Sequence, residues 1–150
     1  MSITLIEAAL VDRLRTRLVD DAHLVEVVYA HQEYADVPEA VMVTPSLAVI
    51  YNGYSPGTAA DQAGLIQSIE FDWLVVVNVA SAQQSDRGDG VRLVASPIID
   101  AVFAALLGFR PLPKFRPMKL APAPGAAVTD AGFGYYPLAF TTTATYRGTP

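Results

Sequence analysis

Residues 69–80, with the sequence IEFDWLVVVNVA, decide the fold of this chain. The first half alternates: Ile69, Phe71 and Trp73 would face one side of a strand, and the acidic residues between them the other side. From Leu74 onward both sides are apolar. Twelve residues span about 40 Å in a strand, whereas a whole domain of this size has a radius of gyration of about 15 Å. The strand therefore crosses the molecule, and its second half needs a cover on each face.

The composition indicates a single domain with little charge. The chain has 150 residues, of which 52% are hydrophobic and 17% charged, against about 25% charged in ordinary soluble domains. The longest apolar segment, residues 98–109, contains Asp100 and is too short for a bilayer, which needs about 20 apolar residues. The N-terminus lacks the pattern of a secretion signal. We therefore expect no membrane partner. We expect a second copy of the chain to cover one face of the central strand, the alternative being a fold tight enough to sandwich the second helix.

Two long helices are predicted. Residues 2–19 carry an apolar stripe at steps of three and four residues, formed by Ile3, Ile6, Leu10, Leu14 and Leu18. Residues 91–107 are apolar around nearly the whole circumference, so this helix is expected to be buried on most sides. Pro97 should kink it and Gly108 should end it. Residues 82–90, between the central strand and this helix, are predicted to form a polar loop.

The central strand is expected over about residues 66–81, with further strands at residues 24–31, 46–51 and 135–147. A turn at Asn52-Gly53 should end the strand at 46–51, followed by a loop over residues 54–65. Residues 37–43 are compatible with a helical turn, a loop or a strand. The result is an α+β domain. It has one four- to five-stranded, mostly antiparallel or mixed sheet and two main helices, one N-terminal and one after the long central strand.

Residues 109–125 contain five prolines, which predicts an extended arm outside the core with at most a short edge strand at residues 118–121. The arm holds all the basic residues between positions 101 and 129, namely Arg110, Lys114, Arg116 and Lys119. Residues 18–91 hold eleven acidic residues and one basic residue. This asymmetry reflects either chance and solvation, or head-to-tail association of a basic arm with an acidic face. The candidate subunit-interface residues are these four basic residues with Leu74 and Val76.

The chain lacks the residues of common catalytic and metal sites. It has no cysteine, no nucleophile elbow and no phosphate-binding loop. The two histidines, His23 and His31, match no metal-binding spacing. The prediction is a protein that is not an enzyme and has no catalytic residues, no cofactor and no metal. Four basic residues on an acidic protein also argue against a sequence-specific nucleic acid partner. The alternative is a small enzyme or ligand-binding module, with candidate residues Tyr29, His31, Tyr51 and Asn78.

The order of apolar blocks is similar to that of a known family. TLIEAALVDRL at residues 4–14, PSLAVIY at 45–51, WLVVVNV at 73–79 and AALLGF at 104–109 precede a long C-terminal strand. In this order the chain resembles the tail terminator, or tail completion, proteins of tailed bacteriophages and prophages, especially the Mu-like family. The likeness covers nearly the whole chain.

The resemblance implies a structural virion protein without catalytic residues. Such a protein forms a six-membered ring at the head-proximal end of the tail, caps the tail tube, stops its polymerisation and presents a surface to the neck. The implied partners are further copies of the chain, the tail tube protein and a neck or head-completion protein, with a sheath terminal ring as a further candidate. Assembly would take place in the host cytoplasm. A head–tail connector or another minor tail protein is the alternative within virion structure.

Overall fold

The computed structural model describes residues 2–59, 61–80 and 89–149. The helices in these ranges are α1 (Ser2–Leu14), α2 (His31–Asp36) and α3 (Asp89–Leu106). A π-helical turn (Arg15–Asp21) continues α1, and a 3-10 turn (Glu39–Val41) follows α2. The strands are β1 (Val27–Tyr29), β2 (Ser46–Ala59), β3 (Ile66–Ala80), β4 (Lys119–Ala121), β5 (Ala127–Val128) and β6 (Phe133–Arg147). Most of the polar loop predicted at residues 82–90 lies outside the described residues.

These strands form one mixed sheet in the order β1-β2-β3-β6-β4, with β5 also paired to β6. β1 and β2 are parallel, and the other pairs are antiparallel. β3 and β6 pair over their full lengths, from Ile66 opposite Arg147 to Ala80 opposite Phe133. The predicted α+β class, with a mixed sheet and two main helices, is confirmed, and the sheet has one strand more than the four to five expected.

One face of the sheet, here called the core face, carries the main hydrophobic core. The odd-numbered residues of β3 point to it, and Trp73, Val75 and Val77 are fully buried. α1 and α3 pack against this face and bury the apolar stripe predicted for the N-terminal helix. The prediction from the alternating first half of the central strand is confirmed: its apolar residues face the core. Successive side chains of a strand point to opposite faces, so the rest of β3 follows the same alternation.

The opposite face, here called the outer face, is covered at one end by the chain itself. Residues 30–43, here called the strap, follow β1, and their apolar side chains Tyr34, Val37 and Met42 pack against Ala48 and Val76. Val76 is only 8% exposed in the isolated chain. The expectation that a second copy covers the second half of the central strand is thus wrong at Val76.

The strap begins where β1 ends, in a segment for which the sequence predicted further strand. The expected strand over residues 24–31 is reduced to the three residues of β1, and α2 begins at His31. The carboxylate of Glu33 accepts a hydrogen bond from the backbone N–H of Ala30 at 3.3 Å, which satisfies one of the free donors at the helix start. Helix formation therefore competes successfully with strand extension after Tyr29.

The Asn52-Gly53 pair marks a β-bulge and not the end of a strand. Gly53 has a φ of +97°, a conformation that other residues rarely adopt, and the pairing of β2 with β3 shifts between Tyr51 and Tyr54. β2 therefore continues to Ala59. Residues 54–59, predicted as loop, form part of a long hairpin and are all exposed.

The proline-rich arm is bound to the body of the protein, which contradicts the prediction that it lies outside the core. Phe115 and Met118 are 4% and 2% exposed, and the ring of Phe115 lies 5.7 Å from that of Phe71. The backbone N–H of Arg116 donates to the carbonyl of Thr143 at 2.8 Å. The short edge strand expected at residues 118–121 is confirmed as β4.

α3 is less buried than its sequence predicts. Leu93 is 77% exposed and Val94 is 37% exposed, because the sheet covers one side of the helix only. Pro97 lies inside the helix, which continues to Leu106. Gly108, with a φ of +78°, follows the end of the helix as expected.

The two sides of α3 give a direct test of the packing. Leu106→Ala removes a fully buried side chain, and we expect it to lower the free energy of unfolding by about 2–5 kcal/mol. Leu93→Ala, on the exposed side of the same helix, should change it by less than about 0.5 kcal/mol. Urea denaturation followed by circular dichroism measures both values. Equal effects of the two substitutions would contradict the described packing of α3.

Candidate assembly interface

Basic side chains lie on β4, which forms one edge of the sheet, and on the arm that leads into it. Arg110, Lys114, Arg116 and Lys119 are all exposed. They point outward because the residues between them, Phe115 and Met118, are buried anchors of the arm. The hydroxyl of Thr142 also donates to the carbonyl of Arg116 at 2.7 Å. The predicted basic interface residues are therefore held on one edge of a folded body.

Acidic side chains flank the opposite edge, formed by β1. Five of them are exposed, namely Asp20, Asp21, Glu26, Glu33 and Asp36. Asp20 and Asp21 lie on the π-helical turn before β1, and Glu26 directly precedes β1. Glu33 and Asp36 lie on α2, which contacts β2 as part of the strap on the outer face. Arg15 also reaches this region and donates to the carbonyl of Val28 at 3.3 Å. Carboxylates still outnumber basic groups on this side of the sheet.

The two charged edges face away from each other. β1 and β4 are the outermost strands of the order β1-β2-β3-β6-β4, so four strand spacings of about 4.8 Å, or about 19 Å, separate them. One edge therefore presents positive charge and the other presents negative charge. Such a surface is complementary to a second copy that is placed beside the first in the same orientation, and repulsive to a copy that presents the same edge.

The two predicted apolar interface residues have different surroundings. Leu74 lies on the outer face in a cross-strand row with Ile50 and Ala139, and it is partly exposed. Val76, two residues further along β3, lies under the strap. Leu74 is therefore available for contact with a partner, whereas Val76 supports the strap from below.

A chain of hydrogen bonds fixes the strap on the sheet. The hydroxyl of Tyr34 donates to Oδ1 of Asn78 at 2.8 Å, and Nδ2 of Asn78 donates to Oγ of Ser46 at 3.2 Å. Asn78 and Ser46 are fully buried. Because buried amides and hydroxyls are unfavourable without partners, this arrangement holds the strap in one position.

A second contact fixes the far end of the strap. The hydroxyl of Tyr135 on β6 donates a hydrogen bond to the carboxylate of Glu39. Burial raises the pKa of Tyr135 well above its usual value, and the hydrogen bond to Glu39 and the carboxylate charge raise it further. Burial likewise raises the pKa of Tyr34, with a smaller contribution from Glu39. Both tyrosines are therefore neutral hydrogen-bond donors at physiological pH.

The residues proposed for a ligand-binding module do not converge. Tyr29 and Asn78 lie on the outer face, where both bond to other parts of the chain, whereas Tyr51 lies on the core face and His31 is exposed. Among the described residues, no group of three or more acidic or histidine side chains could hold a metal ion. None of the described helices is long and apolar enough to cross a membrane.

An apolar groove opens on the core face near the start of α1. Its volume is about 400 Å³, and aromatic side chains from three adjacent strands form most of its lining: Tyr51 and Tyr54 from β2, Phe71 from β3 and Tyr146 from β6. Ile3 and Ile69 complete the apolar part. Sequence reasoning missed this groove because it assigned Tyr54 to a loop. The signal that could have revealed the groove was the presence of bulky, exposed residues on a long hairpin.

Comparison with known proteins supports the architecture over the whole chain. The family model for phage tail terminator proteins matches residues 1–150. The chain belongs to the phage tail terminator family.

A solved structure adds independent support for the fold of this tail terminator family member. A chain described as part of the virion of a native gene transfer agent particle superposes with a TM-score of 0.58 at 19% identity, over 93% of each chain. At this identity the likeness supports the fold alone. Comparison with curated proteins gives no significant match. The predicted resemblance to tail terminators is confirmed, and the chain is a structural component of a phage-type tail.

The family assignment agrees with the chemistry of the molecule. Tail terminators are structural proteins and not enzymes. The buried Asn78 and the half-buried Tyr135 bond to the strap and hold it in position. The features left open on the surface are two charged edges, the partly exposed Leu74 and the aromatic groove, all of which suit contact with other proteins.

The Tyr135–Glu39 contact predicts a specific dependence of stability on pH. Because the folded state binds the phenol proton more tightly than the unfolded chain, this stabilisation is complete below pH 10 and is lost as the pH rises above it. Tyr135→Phe should cost about 1–2 kcal/mol at neutral pH and should make the loss of stability above pH 10 shallower.

Urea denaturation at several pH values between about 8 and 11 measures this dependence. Tyr54→Phe is the control, since its ring is 64% exposed. A variant Tyr135→Phe whose pH dependence equals that of the unaltered chain would show that the Glu39 contact does not hold the strap.

Proposed function

We propose that the chain forms a closed ring that caps the end of a phage tail tube. The ring stops polymerisation of the tube and provides the surface on which the neck or head docks. Its place is the head-proximal end of the tail, and assembly takes place in the host cytoplasm. Membership of the tail terminator family supports this function. Six copies is the ring size that the family resemblance implies.

The observation that carries the proposal is the opposite charge of the two sheet edges. The β4 edge of one copy presents exposed basic residues, and the β1 edge of the next copy presents exposed carboxylates. Each copy then uses both edges, one for each neighbour. A head-to-tail contact of this kind gives a closed ring when the rotation between neighbours closes, and it leaves no edge for further growth.

The residues of the proposed subunit interface follow from their placement. Lys114 and Arg116 lie on either side of the buried anchor Phe115, so their charges are fixed on the basic edge. Lys119 lies on β4 itself, and Arg110 lies at the start of the arm, where Phe109 and Met118 are joined by a backbone hydrogen bond. Leu74 supplies partly exposed apolar surface on the outer face.

The ring requires partners besides its own copies. One end of the ring contacts the tail tube protein, and the other contacts a neck or head-completion protein. In a tail with a sheath, the terminal ring of the sheath is a further contact. No membrane and no sequence-specific nucleic acid are involved in the proposed function.

Charge reversal on the basic edge tests the head-to-tail contact. We expect Lys114→Glu with Arg116→Glu to weaken self-association by about tenfold at low ionic strength, because two attractive contacts become repulsive. The effect should shrink in high salt, where surface charges are screened. Both side chains are exposed, so the variant should unfold at the same urea concentration as the unaltered chain. Sedimentation velocity measures the association.

A compensating variant provides the matched control. Glu26→Lys with Asp36→Lys reverses two exposed carboxylates of the acidic edge and should weaken association in the same way. In the chain that carries all four reversals, the substituted positions are again opposite in charge across the contact, so it should associate more strongly than either double variant. Failure of this fourfold variant to recover would remove the charged edges from the interface.

Tail assembly without the protein tests its role in the particle. If the chain is a terminator, tails assembled in its absence are expected to have uncontrolled lengths. Tails of normal length that fail to join heads would instead identify a head–tail connector. Electron microscopy of the particles distinguishes the two results.

A further inference from the structure

A cleft between the N-terminal helical segment and α3 holds two arginine side chains. Its volume is about 390 Å³, and Arg13 and Arg17 form its basic part. The remaining lining is small and apolar, and it consists of Leu18, Ala101, Ala104 and Ala105. None of the described residues that line the cleft is acidic. In a chain with 15 acidic and 10 basic residues, the cleft is therefore a local concentration of positive charge.

The guanidinium of Arg13 is fixed in one orientation by two contacts. Its Nε–H donates to the carbonyl of Ala105, near the end of α3, at 3.0 Å. Its Cζ atom lies 5.0 Å from the centroid of the Phe109 ring. A guanidinium that stacks on a ring and bonds through Nε keeps the N–H groups of its two terminal nitrogens for a further partner. Arg13 is half-buried, so these donors are in place before a ligand arrives.

Arg17 lies four residues further along and contributes an exposed guanidinium. Within the described ranges this guanidinium forms no hydrogen bond or ion pair, and only the backbone carbonyl of Arg17 is bonded, to the N–H of Ala22. Arg15, between the two, donates instead to the carbonyl of Val28 on β1. Like charges four residues apart on a helix repel each other. An anion between Arg13 and Arg17 is therefore stabilised by both.

The backbone that carries Arg17 departs from α-helical geometry. Arg15–Asp21 is a π-helical turn, a rare conformation that occurs frequently at functional sites. The turn contacts α3 and buries Leu18, which is 1% exposed. Packing of the turn on α3 therefore accounts for Leu18, whereas it makes no use of the charged group of Arg17.

We propose that the cleft binds one carboxylate, the side chain of a glutamate or aspartate on a partner protein other than a second copy of this chain. A guanidinium donates two parallel N–H···O bonds to a carboxylate, and Arg13 and Arg17 supply two such groups. The alanine methyl groups and Leu18 form an apolar floor for the methylene groups that carry the carboxylate. The inference does not depend on the proposed ring.

The surroundings favour one carboxylate over a nucleic acid backbone. Asp12 and Asp100 are exposed and directly precede the cleft residues Arg13 and Ala101. These carboxylates repel a run of phosphates, which proteins bind through many basic contacts. The proposed ring already assigns the exposed carboxylates of the acidic edge to the basic arm of the neighbouring copy. A different protein is therefore the source of the bound side chain.

Titration of the full chain with N-acetylglutamate α-amide tests the site, because the side-chain carboxylate is the only charge of this compound. The Nε–Hε signal of Arg13 in nuclear magnetic resonance spectra is the readout, since this group is bonded to Ala105. We expect a saturable shift with a dissociation constant of about 10 mM or below at low ionic strength. The glutamine analogue, which lacks the charge, should cause no shift. No saturable shift, or equal shifts with both compounds, would overturn the proposal.

Three variants make the titration specific. Arg17→Gln removes the exposed guanidinium and should weaken binding at least about tenfold without changing the urea midpoint. Ala104→Leu fills the cleft from the exposed side of α3 and should abolish binding although both arginines remain. The control Arg147→Gln removes one positive charge at the exposed end of β6 and should leave binding unchanged. Binding that persists in both cleft variants contradicts the proposed site.

Two measurements distinguish a partner protein from other sources of the anion. Dimethyl phosphate carries the single charge of a nucleic acid phosphate diester, and we expect it to bind more weakly than the glutamate compound. Tighter binding of dimethyl phosphate would overturn the assignment in favour of a nucleic acid. Arg17→Gln should leave self-association unchanged in sedimentation velocity, and weaker association would instead place the carboxylate on a second copy. If the unaltered chain forms no ring, the proposed function fails, and the titration still decides whether the cleft binds a carboxylate.

Discussion

In the second half of β3, the consecutive residues Val75, Val76 and Val77 are buried on alternating faces, so the strand needs apolar cover on both sides. α1 and α3 provide it on the core face. On the outer face the cover is a strap with few apolar side chains, and its position depends on hydrogen bonds to the buried Asn78. Leaving that amide unpaired would cost about 1–3 kcal/mol, so the sheet and the strap stabilise each other.

The arm shows how a proline-rich segment is placed accurately without long secondary structure. Phe115 and Met118 enter the core, and the backbone between them bonds to Phe109 and Thr143. The charged residues are consequently fixed outward, and the segment from Pro122 is held between two short strands. A surface ordered before contact loses less conformational entropy when a partner binds, which favours assembly from a modest contact area.

Exposed charge and exposed apolar surface have different roles in the proposed ring. Exposed charges contribute little affinity but orient the encounter and reject a copy that presents the wrong edge. Burial of an exposed ring such as Tyr54 supplies affinity, because aromatic side chains remove a large apolar area from water. The two charged edges lie on opposite sides of one sheet, so each copy can link two neighbours in the proposed ring.

Several features were determined by the sequence alone. The alternation of Ile69, Phe71 and Trp73 fixed the core face of the central strand, and the block order indicated the family, because local periodicity sets which side of an element is apolar. Only the tertiary structure decided what covers each apolar side. Contacts such as that between Tyr34 and Asn78, 44 residues apart, depend on where the chain returns in space. The same holds for the burial of the arm, the open side of α3 and the groove, since local patterns carry no information about distant partners.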